Sequence, residues 1–266
     1  RELCFLPLAH AYSCAFNFLV PMAVGAHVYL LVKVPSPKIL LKAFEEVKPN
    51  LILTVPLILE KIYKKMILPQ LSKTTMKVAL NIPLLDSRIY AQIRKKLVDA
   101  FGGRFREVIV GGAAMNEEVT NFLYKIKFPF TIGYGMTECG PLISYDHNDE
   151  YVPGSCGQIL KGIMKVRIDS EDPCNKVGEI QVSGENVMKG YYKNEEATSK
   201  VFTEDGWLRT GDLGTIDADN RIYIRGRSKT MILGASGQNI YPEEIESKLN
   251  NLPFVMESII IEKNGK

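Results

Sequence analysis

Along the first 140 residues, apolar and polar positions follow two alternating rhythms. Short apolar runs of strand length lie at 3–6, 28–32, 51–55, 107–110 and 128–132. Between them, apolar residues recur at helical spacing. Residues 36–47 line up Ile39, Leu40, Ala43, Phe44 and Val47, with Pro37 at an early helical position and Pro49-Asn50 as the stop. Pro56 opens a helix that reaches about residue 66. Asp86 is the predicted N-cap of a helix carrying Ile89, Tyr90, Ile93, Leu97 and Phe101, ended by Gly102-Gly103, and Asn116 caps the next. Continuously apolar strands separated by helices predict a parallel sheet covered on both faces.

The rhythm changes after Gly140. Predicted strands at 166–168, 179–182, 213–216 and 221–224 are separated by Gly, Asp and Asn turns, with Asp217-Ala218-Asp219-Asn220 as a hairpin tip. This is a mostly antiparallel region. After Arg227 comes a third pattern: a strand at 231–233, a glycine loop, a helix at 242–249 and a strand at 255–261. The predicted fold class is α/β: a layered parallel sheet with helices, a mostly antiparallel β subdomain, then the start of a small α+β domain.

The most hydrophobic stretch, 13–32, contains Asn17, Pro21, Gly25 and His27, and polar groups in lipid are expensive. It is read as a buried helix followed by a strand. Composition agrees with a globular chain: of 266 residues, 46% are hydrophobic and 24% charged, which argues against disorder. The net charge of +3 is too weak to imply nucleic acid as a partner. Five cysteines without CxxC spacing and three histidines without metal-ligand spacing suggest neither a zinc site nor a disulfide framework. A reducing compartment is the default.

Four segments carry candidate chemistry. Gly133-Tyr134-Gly135-Met136-Thr137-Glu138 follows a predicted parallel strand, at the end where such folds bind ligands. Its glycines would let the backbone turn sharply, Tyr134 offers a flat ring, Thr137 a donor for a phosphoryl oxygen and Glu138 a hard ligand for Mg²⁺. An ordinary glycine turn with a solvated Glu explains the same residues. Gly111-Gly112-Ala113-Ala114-Met115 ends another strand; it is either a nucleotide edge or a strand-to-helix turn, and it matches no Walker loop or GxGxxG fingerprint. Asp212, within Arg209-Thr210-Gly211-Asp212-Leu213, is either a carboxylate held at a turn to bridge ribose hydroxyls or a turn residue satisfying its own backbone. The basic residues Arg225, Arg227 and Lys229 precede Gly234-Ala235-Ser236-Gly237 and a Pro-Glu-Glu helix start at 242.

In order and spacing, these segments resemble the AMP-forming adenylating enzymes, which include acyl-CoA synthetases. Five motifs carry the likeness: Leu6-Pro7-Leu8-Ala9-His10, Gly133 to Glu138, Gly178-Glu179-Ile180 continuing to Gly190-Tyr191-Tyr192, Arg209 to Leu213, and Gly226 to Glu246. The phrases around 6–10, 187–192 and 202–213 are most like bacterial long-chain fatty-acid-CoA ligases. The resemblance implies ATP, Mg²⁺ and coenzyme A as cofactors and a long-chain fatty acid as substrate. A carrier-protein-loading adenylation domain and a non-catalytic nucleotide-binding module are the alternatives.

By the same resemblance, Gly112, Ala113, Ala114 and Met115 line the adenine pocket, with Tyr134 stacked on the base between Gly133, Gly135 and Met136. Thr137 holds the α-phosphate, Glu138 ligates Mg²⁺, Asp212 binds the ribose hydroxyls and Arg227 contacts ribose or phosphate. His10 sits between the acyl and nucleotide pockets. Lys229 is the hinge of the small domain, whose Gly234 and Gly237 reach the pantetheine tunnel. Residues 1–140 and 141–228 then belong to a large AMP-binding domain and 229–266 begin a small C-terminal one. The family's Ser/Thr/Gly-rich phosphate loop is not found, and Ser72-Lys73-Thr74-Thr75 lacks its glycines. The Gly265-Lys266 pair comes too soon after Lys229 to be the family's catalytic lysine, so the chain is expected to be an internal piece of a longer ligase and to be inactive on its own. A cytoplasmic location follows from the resemblance, with weak peripheral contact at the inner face of the membrane as an extension of it.

Overall fold

The computed structural model describes residues 1–83, 85–233, 239–252, 255 and 257–262. Two compact units are present: residues 1–137 with 146–153, and residues 138–145 with 154–266. The sequence pattern anticipated an α/β protein with a parallel sheet and a mostly antiparallel region, and both are found.

In the first unit, β1 (Glu2–Cys4) pairs in parallel with β2 (Val28–Leu30), and β3 (Ile52–Thr54), β4 (Val108–Val110) and β5 (Phe130–Ile132) form a parallel trio. A parallel bridge from Glu2 to Leu51 sets β1 beside the start of β3. The strand order is therefore β2-β1-β3-β4-β5. It reverses direction between β1 and β3, the place where open α/β sheets open a crevice at their carboxyl edge.

Helix Pro37–Val47 follows its sequence pattern. Ser36 Oγ accepts from Ile39 N at 3.4 Å, Leu40, Ala43, Phe44 and Val47 are buried, and Lys48 at φ 49° ends the helix. Its Phe44 anchors an aromatic cluster with Phe5, Phe101, Phe105 and Phe128, ring centroids 5.1–6.1 Å apart. Gly102 terminates helix Leu85–Ala100 beside this cluster with φ 91°, and a Cβ there would lie 2.5 Å from Phe44 O. Residues 146–153 rejoin this unit: Tyr151 packs on Phe130, and Glu107 accepts from the backbone and side chain of Asn148.

The second unit is an antiparallel meander of Met164–Asp169, Gly178–Gly184, Leu208–Ile216 and Ile222–Arg227, in that order across the sheet. Ile168, Ile180, Val182, Leu208 and Ile222 form its buried side. The 217–220 hairpin tip is as predicted, with Asn220 at φ 62°.

Several expectations need correction. Segment 13–32 begins as a helical stretch with a π-helical turn, Cys14–Leu19, but apart from Pro21 its buried residues are polar. Leu19, Val20, Met22 and Val24 are exposed, whereas Ser13 and Asn17 are buried. The reason is the buried Glu2 carboxylate, which needs donors: Asn17 Nδ2 donates to it at 2.7 Å, and Ser13 Oγ donates to Asn17 Oδ1 at 3.1 Å. Asp86 is inside the first turn of Leu85–Ala100, its Oδ1 accepting from Ser87 N, rather than outside as an N-cap.

Residues 257–262 form no strand. Ile260 N donates to Glu246 Oε1, so a helix side chain takes a backbone group that a sheet would have used, and Ser258 Oγ donates to Asn250 Oδ1. No helix among the described residues is long and apolar enough to cross a membrane.

Candidate functional site

Because β1, β3, β4 and β5 are parallel, the segments that follow them leave the sheet at one edge. These are 5–10, the stretch from Val55, 111–115 and 133–137, so the first unit gathers His10, Gly112 to Met115 and the start of the Gly133 segment on its carboxyl side. The ladder runs on into the first glycines: Gly111 N donates to Thr54 O at 3.1 Å and Gly133 N to Val110 O at 2.9 Å.

His10 stands at the N-terminal boundary of Ala11–Ser13 and is exposed. Two residues on, Tyr12 lies beneath the glycine turn. Its hydroxyl donates to Ile109 O at 3.1 Å, and a Cβ on Gly111 would sit 3.3 Å from its ring. Burial, with the Glu2 charge adding to it, pushes the Tyr12 phenol above its ordinary range, so it stays protonated. Gly112 takes φ 88°, and Gly112, Ala113 and Ala114 are exposed with Met115 half-buried.

Asn116 caps helix Glu117–Lys125 as predicted, its Oδ1 accepting from Glu118 N and Val119 N, while its own N–H donates to Glu60 Oε1 at 2.9 Å. Glu60 thus fixes the far end of the glycine turn from another helix. Tyr134 is buried, and Gly135, Thr137 and the half-buried Met136 follow it. The left-handed glycine of this stretch is Gly140, at φ 61°, and not Gly133 or Gly135; Tyr134–Gly135 is extended.

In the second unit, Glu138 is held from the Gly190 motif. Tyr191 Oη donates to Glu138 Oε1 at 2.9 Å, and Met188 N donates to Glu138 O at 2.7 Å. Neither contact was visible in the spacing of the two motifs. Burial raises the neighbouring Cys139 thiol to about 12, with the Glu138 charge contributing, so it is no nucleophile.

Asp212 sits in a strand, not at a turn. Strand Leu208–Ile216 breaks register between Arg209 and Leu213, and Gly211 takes φ 72°. The irregularity reaims the strand. Asp212 is only 7% exposed, paired in register with Arg227, whose Nε lies 3.1 Å from Asp212 Oδ1. Thr210 Oγ1 donates to Ile180 O, and Asp212 N donates to Thr210 Oγ1 at 3.1 Å.

Exposed Lys229 lies between two fastened residues. Ser228 N donates to Gly211 O at 2.9 Å, and Thr230 Oγ1 donates to Glu243 Oε1 at 2.6 Å. Gly234, Gly237 and Lys266 lie outside the described residues.

Each unit carries nucleotide-type features of its own: the first has glycine turns and small residues at the carboxyl edge of a parallel sheet, and the second a buried carboxylate beside a guanidinium. Residues 1–192 match the model of the family described as AMP-binding enzyme. The chain belongs to the AMP-binding enzyme family.

Its relatives include the long-chain-fatty-acid–CoA ligase 1 of Saccharomyces cerevisiae, 29% identical over all of this chain and 41% of that protein. The 4-coumarate-CoA ligase 1 of Narcissus pseudonarcissus is 30% identical over 97% of this chain and 44% of its own length. Among solved structures, the o-succinylbenzoate coenzyme A synthetase of Bacillus subtilis with ATP and magnesium ion superposes with TM-score 0.72 at 26% identity, over 97% of this chain and 47% of that one. The chain thus spans less than half the length of these members.

For magnesium, the donor set is informative. No group of three or more His, Cys, Asp and Glu among the described residues could hold a metal alone. A single fixed carboxylate suits Mg²⁺, which binds through one or two carboxylates together with substrate phosphates and water. Glu138 fits that use.

Proposed function

We propose that the protein carrying this chain is an AMP-forming ligase that activates a long-chain fatty acid. Its carboxylate attacks the α-phosphate of ATP, giving acyl-AMP and pyrophosphate, and the thiol of coenzyme A then displaces AMP. The observation that carries the reading is the buried Asp212 carboxylate, oriented by Arg227 at 3.1 Å in a register-shifted strand. A fixed acceptor of this kind suits a ribose diol.

In this reading Gly112 to Met115 border the adenine, Tyr134 stacks on it, and Gly133, Gly135 and Met136 shape that turn. Thr137 donates to the α-phosphate, and Arg227 moves between Asp212 and the nucleotide. His10 lies beside the acyl carboxylate. Lys229, the link between the fastened Ser228 and Thr230, is the pivot of the small domain starting there; Gly234 and Gly237 serve the pantetheine arm. Glu138 would hold magnesium, which offsets negative charge on the phosphates.

The fatty-acid preference is supported by the yeast long-chain ligase, and the 30% identity to the 4-coumarate ligase supports a second reading with an aromatic acid. A screen of the full-length protein with ATP, coenzyme A and graded fatty and aromatic acids separates them. Acyl-CoA from long-chain acids supports the first, and product from aromatic acids alone supports the second. Peripheral membrane contact belongs to the first reading, through the partitioning of its substrate, and is tested by sedimentation with vesicles.

A further inference from the structure

The segment 186–191 grips Glu138 at both main chain and side chain. Asn186 Nδ2 donates to Cys139 O at 2.6 Å and to Leu142 O at 2.8 Å, Met188 N donates to Glu138 O, and Tyr191 Oη donates to Glu138 Oε1. Tyr191 is itself fixed. Its N–H donates to Thr198 Oγ1 at 2.9 Å, in helix Glu195–Val201, whose first turn Asn194 caps through Ala197 N. Gly190 makes this approach possible: at φ 147°, a Cβ on it would lie 2.7 Å from Thr198 Cγ2. The adjacent Tyr192 is 88% exposed, whereas Tyr191 is 38% exposed. Two neighbouring tyrosines thus differ, and the covered one is bonded to the carboxylate.

We propose that Tyr191 is a positioning residue for Glu138, holding one carboxylate oxygen so that the other is presented to the divalent cation accompanying ATP. This rests on the reading of Glu138 as the metal-binding carboxylate. A carboxylate fixed before the cation arrives loses less rotamer freedom on binding, and the hydrogen bonds that orient metal ligands commonly matter as much as this implies. Helix Glu195–Val201 therefore acts on the cation through Thr198 and Tyr191 without touching it.

The test uses Mn²⁺ as a paramagnetic substitute, with free Mn²⁺ followed by electron paramagnetic resonance in the presence of the full-length protein and a non-hydrolysable ATP analogue. Tyr191→Phe should weaken Mn²⁺ binding about 10-fold, leave metal-free nucleotide affinity and the thermal midpoint unchanged, and add nothing to the loss in Glu138→Gln. If Glu138→Gln weakens Mn²⁺ binding and Tyr191→Phe does not, the positioning role is overturned while the metal reading stands. If Glu138→Gln has no effect, the metal reading falls and the proposal with it.

Discussion

Arg227 Nε lies 3.1 Å from Asp212 Oδ1 across two strands whose register pairs these residues directly. The guanidinium side chain is 71% exposed and the carboxylate side chain 9%. The buried partner is therefore fixed and the exposed one free to move, as expected of a site where a ligand hydroxyl can share the carboxylate. Asp212→Ala should lower AMP affinity by about 1.5–3 kcal/mol, the worth of hydrogen bonds to a charged group. Calorimetry on that variant, with the surface substitution Asp205→Ala as control, reads this; unchanged AMP binding would remove Asp212 from the ribose.

Glu2 predicts an unusual pH dependence. Burial raises its carboxyl from 4.5 to about 7, against the lowering effect of the hydrogen bond from Asn17. The folded state then holds the proton more tightly than the unfolded chain does. The resulting stability is full below about pH 4.5 and is lost as pH rises through about 7, by about 3 kcal/mol. Glu2→Gln should flatten urea-unfolding midpoints across that window and raise stability above it. A wild-type midpoint that rises over the same window would contradict the burial argument.

Gly102→Ala should destabilise the first unit by about 2 kcal/mol or more, because φ 91° and the Phe44 carbonyl both exclude a Cβ. Gly154, at φ 83° with open space around it, is the control for backbone conformation alone. Denaturant titration should rank Gly102→Ala well below Gly154→Ala in stability.

Much of this was legible in the sequence, and the rest fails for identifiable reasons. Ser36, Pro37 and the Leu40–Phe44–Val47 face define a helix through local capping and period alone, and Asn116 does the same. The parallel and antiparallel sheets follow from where apolar runs alternate with helices and where turns crowd together. The 13–23 stretch misleads because hydrophobicity says nothing of a remote buried acid: Glu2 pulls Asn17 and Ser13 inward and turns Leu19 and Met22 outward. The strand expected at 255–261 misleads because a strand needs a partner edge, and Glu246 supplies a side chain instead. In the candidate site, motif spacing reaches Asp212 and Glu138 but not Tyr191, which lies 53 residues from Glu138. Only a folded chain brings them together.

Thiol reactivity separates the buried Cys139 and the half-buried Cys156 from the surface Cys174. Burial raises Cys139 and Cys156 to about 12, whereas Cys174 is exposed. At about pH 8, a thiol with that pKa is thiolate in roughly one molecule in ten thousand. Brief iodoacetamide treatment followed by peptide mass spectrometry should label Cys174 and spare Cys139 and Cys156 in the folded protein. Labelling of Cys139 at the same rate as Cys174 would argue against its enclosure beside Glu138.

Long-chain acyl activation is read most directly by ATP–pyrophosphate exchange on the full-length protein, with fatty acids of increasing length and with aromatic acids. Exchange should depend on a long-chain fatty acid and collapse in Asp212→Ala. Exchange that ignores the acid supplied, or that survives undiminished without the Asp212 carboxylate, would contradict that reading.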